Sequence, residues 1–551
     1  MSAQVTLRAN VTSAGWPAWH TCSQADVSGD GSLVLFQSST NLTPSQPTPW
    51  SQVYLYARAT GAVTMVSVAN DGSPADLGSA WPVLSSDGRF AAFASSGSNL
   101  IAGDTNGWED VFVRDRVLGT TVCASTNVFG ATANSYSRSF GLSNDGARVA
   151  FDSAASDLVV GDGNGLQDVF VRDLVAQSTV LASTAIGGAA GNGASTGGGL
   201  SGDGRLVVFD SEASDLVAND TNGCEDVFVR DLVLGTTARV SVSSLGGQAS
   251  GISRLSQIST DGRFVSFVSF ASDLVPGDTN GFIDAFLYDR QFGLVERISV
   301  GPGGVEANSV TVDGGVSRDG RYVTFVSMAS NLVAPALGGF ERDVFVRDRV
   351  LGLNWHASRG PAGVRANAPC FRPRVADDGQ TVVYPSDASN LVAGDINDTR
   401  DVFVTSSQAL GVVTTYGTAK TSSAGCASFV TTAGFPRATG DDAFRVVATG
   451  VLVDKSGMFF WGRASASQPF GGGTLLVQPP LVRTPVQNSG SSSLGAGCSG
   501  HFSFHFSQAY MASELVFPGD TLYGQFWSRD PGFAPPDNIG LSNAVQFVVG
   551  P

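Results

Sequence analysis

Short apolar runs separated by turn residues recur along the first 410 residues of the chain. In runs such as Arg263–Ser269 and Asp226–Arg230, β-branched and aromatic residues dominate, and the runs are too short for packed helices, so they predict strands. An Asp-Gly pair marks a tight turn once in each repeat, and the pairs recur every 57 to 59 residues. Their aspartates are Asp30, Asp87, Asp145, Asp203, Asp261, Asp319 and Asp378.

Each repeat contains four short predicted strands, which is the content of one propeller blade. Seven such units closed into a ring leave few exposed sheet edges. The pattern therefore predicts an all-β fold, a seven-bladed β-propeller over residues 1–416. From residue 417 the chain leaves the repeat, and its strand-rich alternation predicts a smaller β-sandwich domain over residues 417–551.

One strand is left over when the fourth strands of the blades are counted. Val5–Ala9 and Val412–Tyr416 both resemble a fourth strand, and seven blades need only one of them in the last blade. We favour closure by the N-terminal strand, which would tie the start of the propeller to its end. The alternative is closure by Val412–Tyr416, with the first strand elsewhere.

Composition narrows the possible partners and the compartment. The formal net charge is −16, and Lys420 and Lys455 are the only lysines, so no basic footprint for a nucleic acid is present. No apolar stretch reaches the length of a membrane span. The abundance of Gly, Ser and Thr is typical of secreted β-rich proteins, and we expect a secreted or cell-surface protein whose signal peptide is not present in this chain.

Acidic loops between the second and third strands are the most chemically specific feature. The pattern Asp-x-Asn-x-x-x-Asp places side-chain oxygens at positions 1, 3 and 7, where they can converge on a hard cation, and about five Ca²⁺ sites are expected. The predicted ligands are Asp104, Asn106, Asp110, Asp162, Asn164, Asp168, Asp220, Asn222, Asp226, Asp278, Asn280, Asp284, Asp395, Asn397 and Asp401. His and Cys are mostly absent from these loops, which disfavours zinc and copper.

Two repeats act as internal controls for this hypothesis. The matching segments of the first and sixth blades, Pro44–Gln52 and Pro335–Asp343, lack acids at the first and third positions, so no metal is expected there. The alternative for all of the loops is that Asp and Asn only form Asx turns.

The segments Leu84–Phe93 and Ile258–Phe264 carry a Ser-x-Asp-Gly-Arg core that resembles the repeat of TolB-type, WD-like β-propellers. The resemblance covers most of residues 11–410 and implies a seven-bladed propeller without implying a single activity, because the family includes interaction platforms, peptidase gating domains and a lyase. The acidic loops also resemble the calcium loops of integrin α-subunit propellers, although they are about two residues shorter.

The C-terminal segments Gly473–Pro480, Gln525–Pro531 and Gly540–Ala544 resemble the C-terminal domain of large secreted proteins of environmental bacteria. That resemblance implies a role in surface attachment or secretion. Cys426 and Cys498 are the only cysteines of this domain, so a disulfide is expected in an oxidising compartment.

Two further cysteines occupy matching positions in the first and last blades. Cys22 and Cys370 each lie eight residues before an Asp-Gly turn, and these blades become neighbours when the ring closes. Either a disulfide joins them across the seam, or both are buried thiols.

No catalytic residues are predicted, because none of the four histidines lies in a recognisable catalytic frame. Ligand-binding candidates for the central channel are His356, Arg359, Arg372 and Arg374. The favoured function is a calcium-stabilised, non-catalytic binding or structural module for an extracellular protein or polysaccharide. The alternatives are a polysaccharide lyase or hydrolase acting in the channel, and a self-assembling surface or filament subunit, that is, a homo-oligomer.

Overall fold

The computed structural model describes residues 4–11, 18, 21–43, 48–334, 336–339, 341–350, 352–377, 379–407, 413–433, 436, 444–490, 498, 500–517 and 520–549. Contacts divide the chain into a unit of Thr6–Ser406 and a unit built mainly on Ser407–Pro551. The predicted residues Pro44, Pro335, Asp378 and Val412 lie outside the described ones.

Most first, second and third strands of the repeats have six residues, and most fourth strands have four. They are β1 (Gln4–Arg8), β2 (Cys22–Val27), β3 (Leu33–Ser38), β4 (Gln52–Ala57), β5 (Ala62–Met65), β6 (Ser79–Leu84), β7 (Phe90–Ser95), β8 (Asp110–Asp115), β9 (Thr120–Cys123), β10 (Ser137–Leu142), β11 (Arg148–Ser153), β12 (Asp168–Asp173), β13 (Ser178–Leu181) and β14 (Ser195–Leu200). They continue with β15 (Leu206–Ser211), β16 (Asp226–Asp231), β17 (Thr236–Arg239), β18 (Ser253–Ile258), β19 (Phe264–Ser269), β20 (Asp284–Asp289), β21 (Leu294–Arg297), β22 (Thr311–Val316), β23 (Tyr322–Ser327), β24 (Asp343–Asp348), β25 (Leu353–His356), β26 (Arg374–Val375), β27 (Thr381–Ser386) and β28 (Asp401–Ser407).

These strands form seven four-stranded sheets in the described part of the chain, and six of the sheets are made of four consecutive strands. The first strands of the sheets contact one another in the order β2, β6, β10, β14, β18, β22 and β26, and β26 contacts β2 again. Because the order is cyclic, the sheets form a closed ring with their first strands innermost, which is the architecture of a β-propeller. The prediction of an all-β propeller is confirmed.

The seventh sheet has the order β1-β28-β27-β26 and is completed by the N-terminal strand. Thr6 Oγ1 lies 3.2 Å from Thr405 Oγ1, and the Ala9 amide donates to the Val402 carbonyl at 2.8 Å. Of the two closures considered from the sequence, the structure has the one through the N-terminal strand.

An aromatic pair lies at the centre of each sheet. Phe209 of β15 faces Phe228 of β16, the ring centroids are 5.8 Å apart, and both side chains are fully buried. Equivalent pairs occur in the other sheets, at Phe36–Tyr54, Phe93–Phe112, Phe151–Phe170, Phe267–Phe286, Phe325–Phe345 and Tyr384–Phe403. Burial of apolar surface between neighbouring sheets is therefore repeated around the ring.

The Asp-Gly turns connect the first and second strands as the sequence indicates. In the second sheet, Asp87 Oδ1 accepts hydrogen bonds from Ser85 Oγ at 2.7 Å and from the Arg89 amide at 2.9 Å. Gly88 has a φ of +72°, which glycine adopts without steric cost. The aspartate and the glycine thus fix the turn together.

The second unit contains β29 (Val413–Tyr416), β30 (Phe429–Ala433), β31 (Arg445–Val451), β32 (Ser456–Gly462), β33 (Ser465–Phe470), β34 (Gly473–Val477), β35 (Val482–Arg483), β36 (Gln487–Asn488), β37 (Gly500–His505), α1 (Gln508–Ser513), β38 (Thr521–Arg529) and β39 (Ile539–Val548). A six-stranded sheet of β29, β39, β38, β32, β35 and β36 and a three-stranded sheet of β30, β31 and β37 contribute to one aromatic core. Two sheets around a shared core form a β-sandwich.

A disulfide joins Cys426 and Cys498 in this second unit, as the sequence predicted, with an S–S distance of 2.04 Å. Cys22 and Cys370, in contrast, do not form the disulfide considered for the seam of the ring. Each occupies a position that holds a hydroxyl residue in the other sheets and faces a serine, Ser38 or Ser386, on the next strand. No helix in the described residues is long and apolar enough to cross a membrane.

Candidate functional site

A cavity of about 330 Å³ lies at the centre of the ring. Every first strand contributes to its lining, which includes Trp81, Asp313, Arg372 and Arg374. The structure therefore brings two of the four predicted channel residues, Arg372 and Arg374, to one cavity.

The other two predicted channel residues, His356 and Arg359, do not line this cavity. His356 ends β25, the outermost strand of its sheet, where its Nε2 lies 3.0 Å from Asp343 Oδ1. Arg359 donates from Nε to His356 Nδ1 at 3.0 Å. Both belong to a polar cluster around Asp343 in the sixth sheet. They lie outside the channel because β25 is the fourth strand of its sheet and is farthest from the ring axis.

Strained backbone is concentrated in the cavity wall. Trp81, Leu255, Asp313 and Arg372 have φ values of +53°, +56°, +59° and +39° and occupy equivalent places in four repeats. The strand pairing beside Trp81, Leu255 and Asp313 shifts register at the same points. Non-glycine residues in this conformation cost free energy, and such strain clusters where side chains are held for a function. The sequence gives no signal for this strain, since these residues are not glycines.

Opposite charges and the indole of Trp81 meet in the cavity. The guanidinium of Arg372 lies 5.7 Å from the centroid of Trp81, and that of Arg138 lies 5.2 Å from it. Burial raises the pKa values of Asp26 and Asp313, while Arg374 opposes the shift in both. The cavity thus combines an aromatic ring with hydrogen-bond donors and acceptors.

Asp210 is a buried acid of the cavity lining. Burial raises its pKa to about 7, and the residue is 4% exposed. Its Oδ2 accepts from the Leu255 amide at 2.7 Å, whereas Oδ1 is buried without a hydrogen-bond partner. A buried carboxyl group with a pKa near neutrality in a cavity is a candidate functional group.

The predicted calcium loops have a shared hydrogen-bond pattern. We name the acid at position 1 the loop aspartate and the acid at position 7, which begins the third strand, the strand aspartate. In the third sheet, Asn164 donates from Nδ2 to the strand aspartate Asp168 at 2.7 Å and to the Gly191 carbonyl at 2.9 Å. Ser183 Oγ donates to the other carboxylate oxygen of Asp168 at 2.6 Å. The asparagine here braces the strand aspartate and closes an Asx turn with the Leu166 amide.

The two control sheets satisfy the same position differently. In the first sheet, Gln52 accepts from Ser67 Oγ at 2.6 Å and donates to the Ala75 carbonyl at 3.0 Å, so one amide replaces the Asp–Asn pair. In the sixth sheet, Asp343 is paired with Arg365 and His356. The strand aspartate is therefore a structural position in its own right, which explains why it persists in a blade without a loop aspartate.

The loop aspartates fall into two groups. In three sheets the last residue of the outermost strand is an arginine that contacts both acids: Arg239 Nη1 lies 3.0 Å from Asp220 and 3.2 Å from Asp226. Arg297 contacts Asp278 and Asp284 in the same way, and Arg8 of β1 contacts Asp395 and Asp401. In the second and third sheets that strand position holds Cys123 and Leu181, and no ion pair to the acids is present in the described residues there.

No family model matches this chain, and no curated protein matches it. Similar solved structures include a putative TolB from Agrobacterium tumefaciens, which is 17% identical over 53% of this chain and 86% of its own, with a TM-score of 0.33. An oligogalacturonate lyase from Vibrio parahaemolyticus is 12% identical over 74% of this chain and 97% of its own, with a TM-score of 0.43. TolB from Acinetobacter baumannii is 15% identical over 72% and 81%, with a TM-score of 0.33. These comparisons assign no substrate or reaction to this chain.

Proposed function

We propose that this protein is an extracellular, non-catalytic binding module whose propeller channel binds a segment of polysaccharide. The observation that carries the proposal is the strained central cavity in which Trp81 lies beside Arg372 and near buried carboxylates. Ligand sites combine an apolar or aromatic surface with a few placed polar groups. An indole face stacks on a sugar ring, while charged side chains accept and donate hydrogen bonds to hydroxyl groups.

The proposed compartment is supported by the covalent link in the second unit. Disulfides persist in oxidising environments and are rare in the cytosol, and the Cys426–Cys498 bond has ordinary geometry with a Cα–Cα distance of 5.5 Å. The net charge of −16 is compatible with a protein that works away from nucleic acids. A calcium-stabilised ring would also fit the extracellular space, where free Ca²⁺ is high enough to occupy weak sites.

The test is a binding measurement on the full chain with neutral and acidic polysaccharides, by calorimetry or a glycan array. We expect Trp81→Ala and Arg372→Ala each to weaken binding at least about tenfold, as loss of a central contact does. The controls are Phe129→Ala and Arg483→Ala, which remove an exposed aromatic ring and an exposed arginine outside the cavity. Binding that is absent for every glycan, or equally affected by the controls, would contradict the proposal.

A channel lyase is the second candidate, and Asp210 is the observation that favours it. A carboxyl group with a pKa of about 7 can act as a base near neutral pH, and Arg372 and Arg374 in the same cavity could neutralise the carboxylate of a uronic acid. Incubation with acidic glycans separates the two functions. Formation of an unsaturated, ultraviolet-absorbing product that is lost in Asp210→Asn would establish the lyase, whereas binding without product supports the binding module.

A further inference from the structure

We propose that the central cavity is closed at the Asp-Gly turns, so that it holds the end of a polysaccharide chain and not a chain that passes through the ring. The inference rests on the proposed polysaccharide binding and specifies which part of the polymer enters. With one end of the cavity closed, a ligand enters and leaves only by the other end.

The turns of neighbouring sheets are hydrogen-bonded to one another at one end of the cavity. The Gly29 amide donates to the Ser86 carbonyl at 2.8 Å, and the Asn144 amide donates to the Gly202 carbonyl at 2.8 Å. Further bonds join Gly202 to Thr260, Asp261 to Arg318, Arg318 to Asp377 and Asp377 to Gly29. Among the described residues, this leaves only the junction between Ser86 and Asn144 without such a bond. The turns thus form a nearly continuous ring of their own.

The residue before the aspartate of each Asp-Gly turn faces the inside of this ring. We name these residues the closing residues; they are Gly29, Ser86, Asn144, Gly202, Thr260, Arg318 and Asp377. All of them except Arg318 line the central cavity. The cavity therefore ends at the turns.

Side chains fill the space inside the ring of turns. Ser86 Oγ of the second sheet donates to Asp377 Oδ2 of the seventh at 3.2 Å, although the first sheet lies between these two. Gly29 of the first sheet lies against this pair, where a Cβ atom would overlap both oxygens. A Cβ atom on Gly202 would overlap the side chain of Asn144 in the same way. Because these atoms are in van der Waals contact, the turns form a floor that a sugar ring cannot cross.

A second space lies on the other side of this floor. It is an open depression of about 470 Å³ that includes Asp30 and Asp87 of the turns. Four closing residues line both the depression and the cavity, namely Gly29, Ser86, Asn144 and Asp377. Arg318 lines the depression and not the cavity. The shared residues therefore lie between the two spaces, and Arg318 lies on the far side of the floor.

The cavity reaches solvent at the opposite end. Trp81 and Leu255 are each the third residue of a first strand that runs toward the turns. Leu255 is 43% exposed, and Arg372 is exposed as well. The wall from Trp81 to Leu84 is about 10 Å long, at roughly 3.3 Å per residue. The cavity volume of about 330 Å³ is near the lower limit of small-molecule sites, which is about 300 Å³. The space below Trp81 therefore suits the end of a chain.

Calorimetry of the full chain with unbranched polysaccharides tests the inference through the stoichiometry. The probes are amylose, polygalacturonate and alginate, each as long chains and as short fragments of the same polymer. Because the two ends of a glycan chain differ chemically, a site for one end binds one protein per chain at either length. We expect the dissociation constant per chain to be the same for long and short chains. Binding to internal residues would instead place several proteins on each long chain.

Two arginines provide matched variants on the two sides of the floor. Arg372→Ala changes the open end and is expected to weaken binding at both lengths at least about tenfold. Arg318→Ala removes an exposed side chain beyond the floor and keeps the backbone bonds of that turn, so binding should be unchanged. A chain that passed through the ring would contact both arginines.

The outcomes separate this inference from the proposed function. Several proteins per long chain, or weaker binding in Arg318→Ala, would overturn the inference and leave the proposed function intact. Absence of binding to every probe would overturn both. The stoichiometry is measured on the unaltered chain, so it does not depend on the folding of a variant.

Discussion

The propeller and the C-terminal unit fix distant chain segments in two different ways. In the propeller, β1 pairs with β28, although nearly the whole propeller sequence lies between the two strands. Arg8 and Asn10 contact Asp401, which is more than 390 residues away in sequence. In the C-terminal unit, a covalent bond joins Cys426 and Cys498, which are 72 residues apart. The ring depends on many weak contacts formed together, whereas the sandwich has one strong link beside its aromatic core.

The difference shows where each unit is vulnerable. Each sheet buries its own aromatic pair, so stability is distributed over the repeated sheets. The exception is the seventh sheet, which is built from both ends of the propeller sequence. A disulfide acts mainly by restricting the unfolded chain. We therefore expect the stability of the ring to be most sensitive to loss of its closing strand. The sandwich should lose a limited amount of stability when its disulfide is removed.

Removal of residues 1–10 is the change with the largest expected effect. It leaves β28 with an unpaired edge and takes Arg8 and Asn10 from the buried Asp401, so the last sheet loses both strand pairing and charge compensation. We expect the melting temperature of the propeller to fall by more than about 10 °C, since several contacts worth roughly 1 kcal/mol or more are lost together. Differential scanning calorimetry of the full chain measures it.

The control for this deletion is Arg8→Lys, which keeps the strand and one positive charge. It should have a much smaller effect than the deletion. A deletion variant that melts at the temperature of the intact protein would show that β1 does not hold the ring closed.

Substitution of one central aromatic residue is expected to have the next largest effect. Phe228→Ala removes a fully buried ring that stacks on Phe209, and such truncations cost about 3–5 kcal/mol. The exposed Leu245, 96% accessible, provides the control Leu245→Ala, with an expected change below about 0.5 kcal/mol. Denaturant titration followed by far-ultraviolet circular dichroism measures both. Equal effects of the two substitutions would contradict the packing described for the sheets.

Loss of the disulfide tests how far this covalent bond stabilises the C-terminal sandwich. Cys426→Ser opens a loop of 72 residues and is expected to destabilise the sandwich by roughly 2–4 kcal/mol. The propeller transition should remain where it is. Thermal unfolding with and without a reducing agent measures the effect in the unaltered protein, and Cys22→Ser, which changes a buried thiol outside any disulfide, is the matched control. A reducing agent that shifts the propeller transition alone would contradict this assignment.

The smallest expected effect is a change in pH dependence. Asp210 has its pKa raised by burial to about 7 in the folded chain, against about 4 in an unfolded one. A raised pKa favours the folded state below the unfolded value, and this contribution is lost as the pH rises from about 4 through 7. Stability should therefore fall between pH 5 and 8, and Asp210→Asn should reduce that slope. Urea midpoints at these two pH values measure it; an unchanged slope would show that other acids dominate.

Local sequence features were sufficient to predict the repeats. The Asp-Gly turns need a positive φ that Gly88 and its equivalents supply, and the β-branched runs between them need only to pair with neighbours in sequence. The same holds for the Cys426–Cys498 bond, because the domain contains no other cysteines. The turns and strands depend on residues that are close together in the chain. The disulfide could be predicted because its domain allows only one cysteine pair.

The site could be predicted only in part, because its decisive contacts are not local. The acids at positions 1 and 7 are visible in the sequence, but the arginine that balances them comes from another strand, and for Asp395 it comes from Arg8 at the opposite end of the propeller. His356 was expected in the channel and lies at the outer strand instead, since a residue's distance from the axis depends on its strand number. The last residue of each fourth strand is the sequence signal that distinguishes the two groups of sheets. It is Arg239 in the fourth sheet and Leu181 in the third.

The closing pairing of β1 with β28 also orders events during synthesis. The strand β1 is translated before the rest of the propeller, yet its partner, Asp401–Ser407, follows only after the other six sheets have been made. Until then the strand carries an unsatisfied backbone edge that could pair with another chain. The earliest segment of the propeller to be translated is thus the last to find its place, and molecules stalled before residue 401 would expose it throughout the delay.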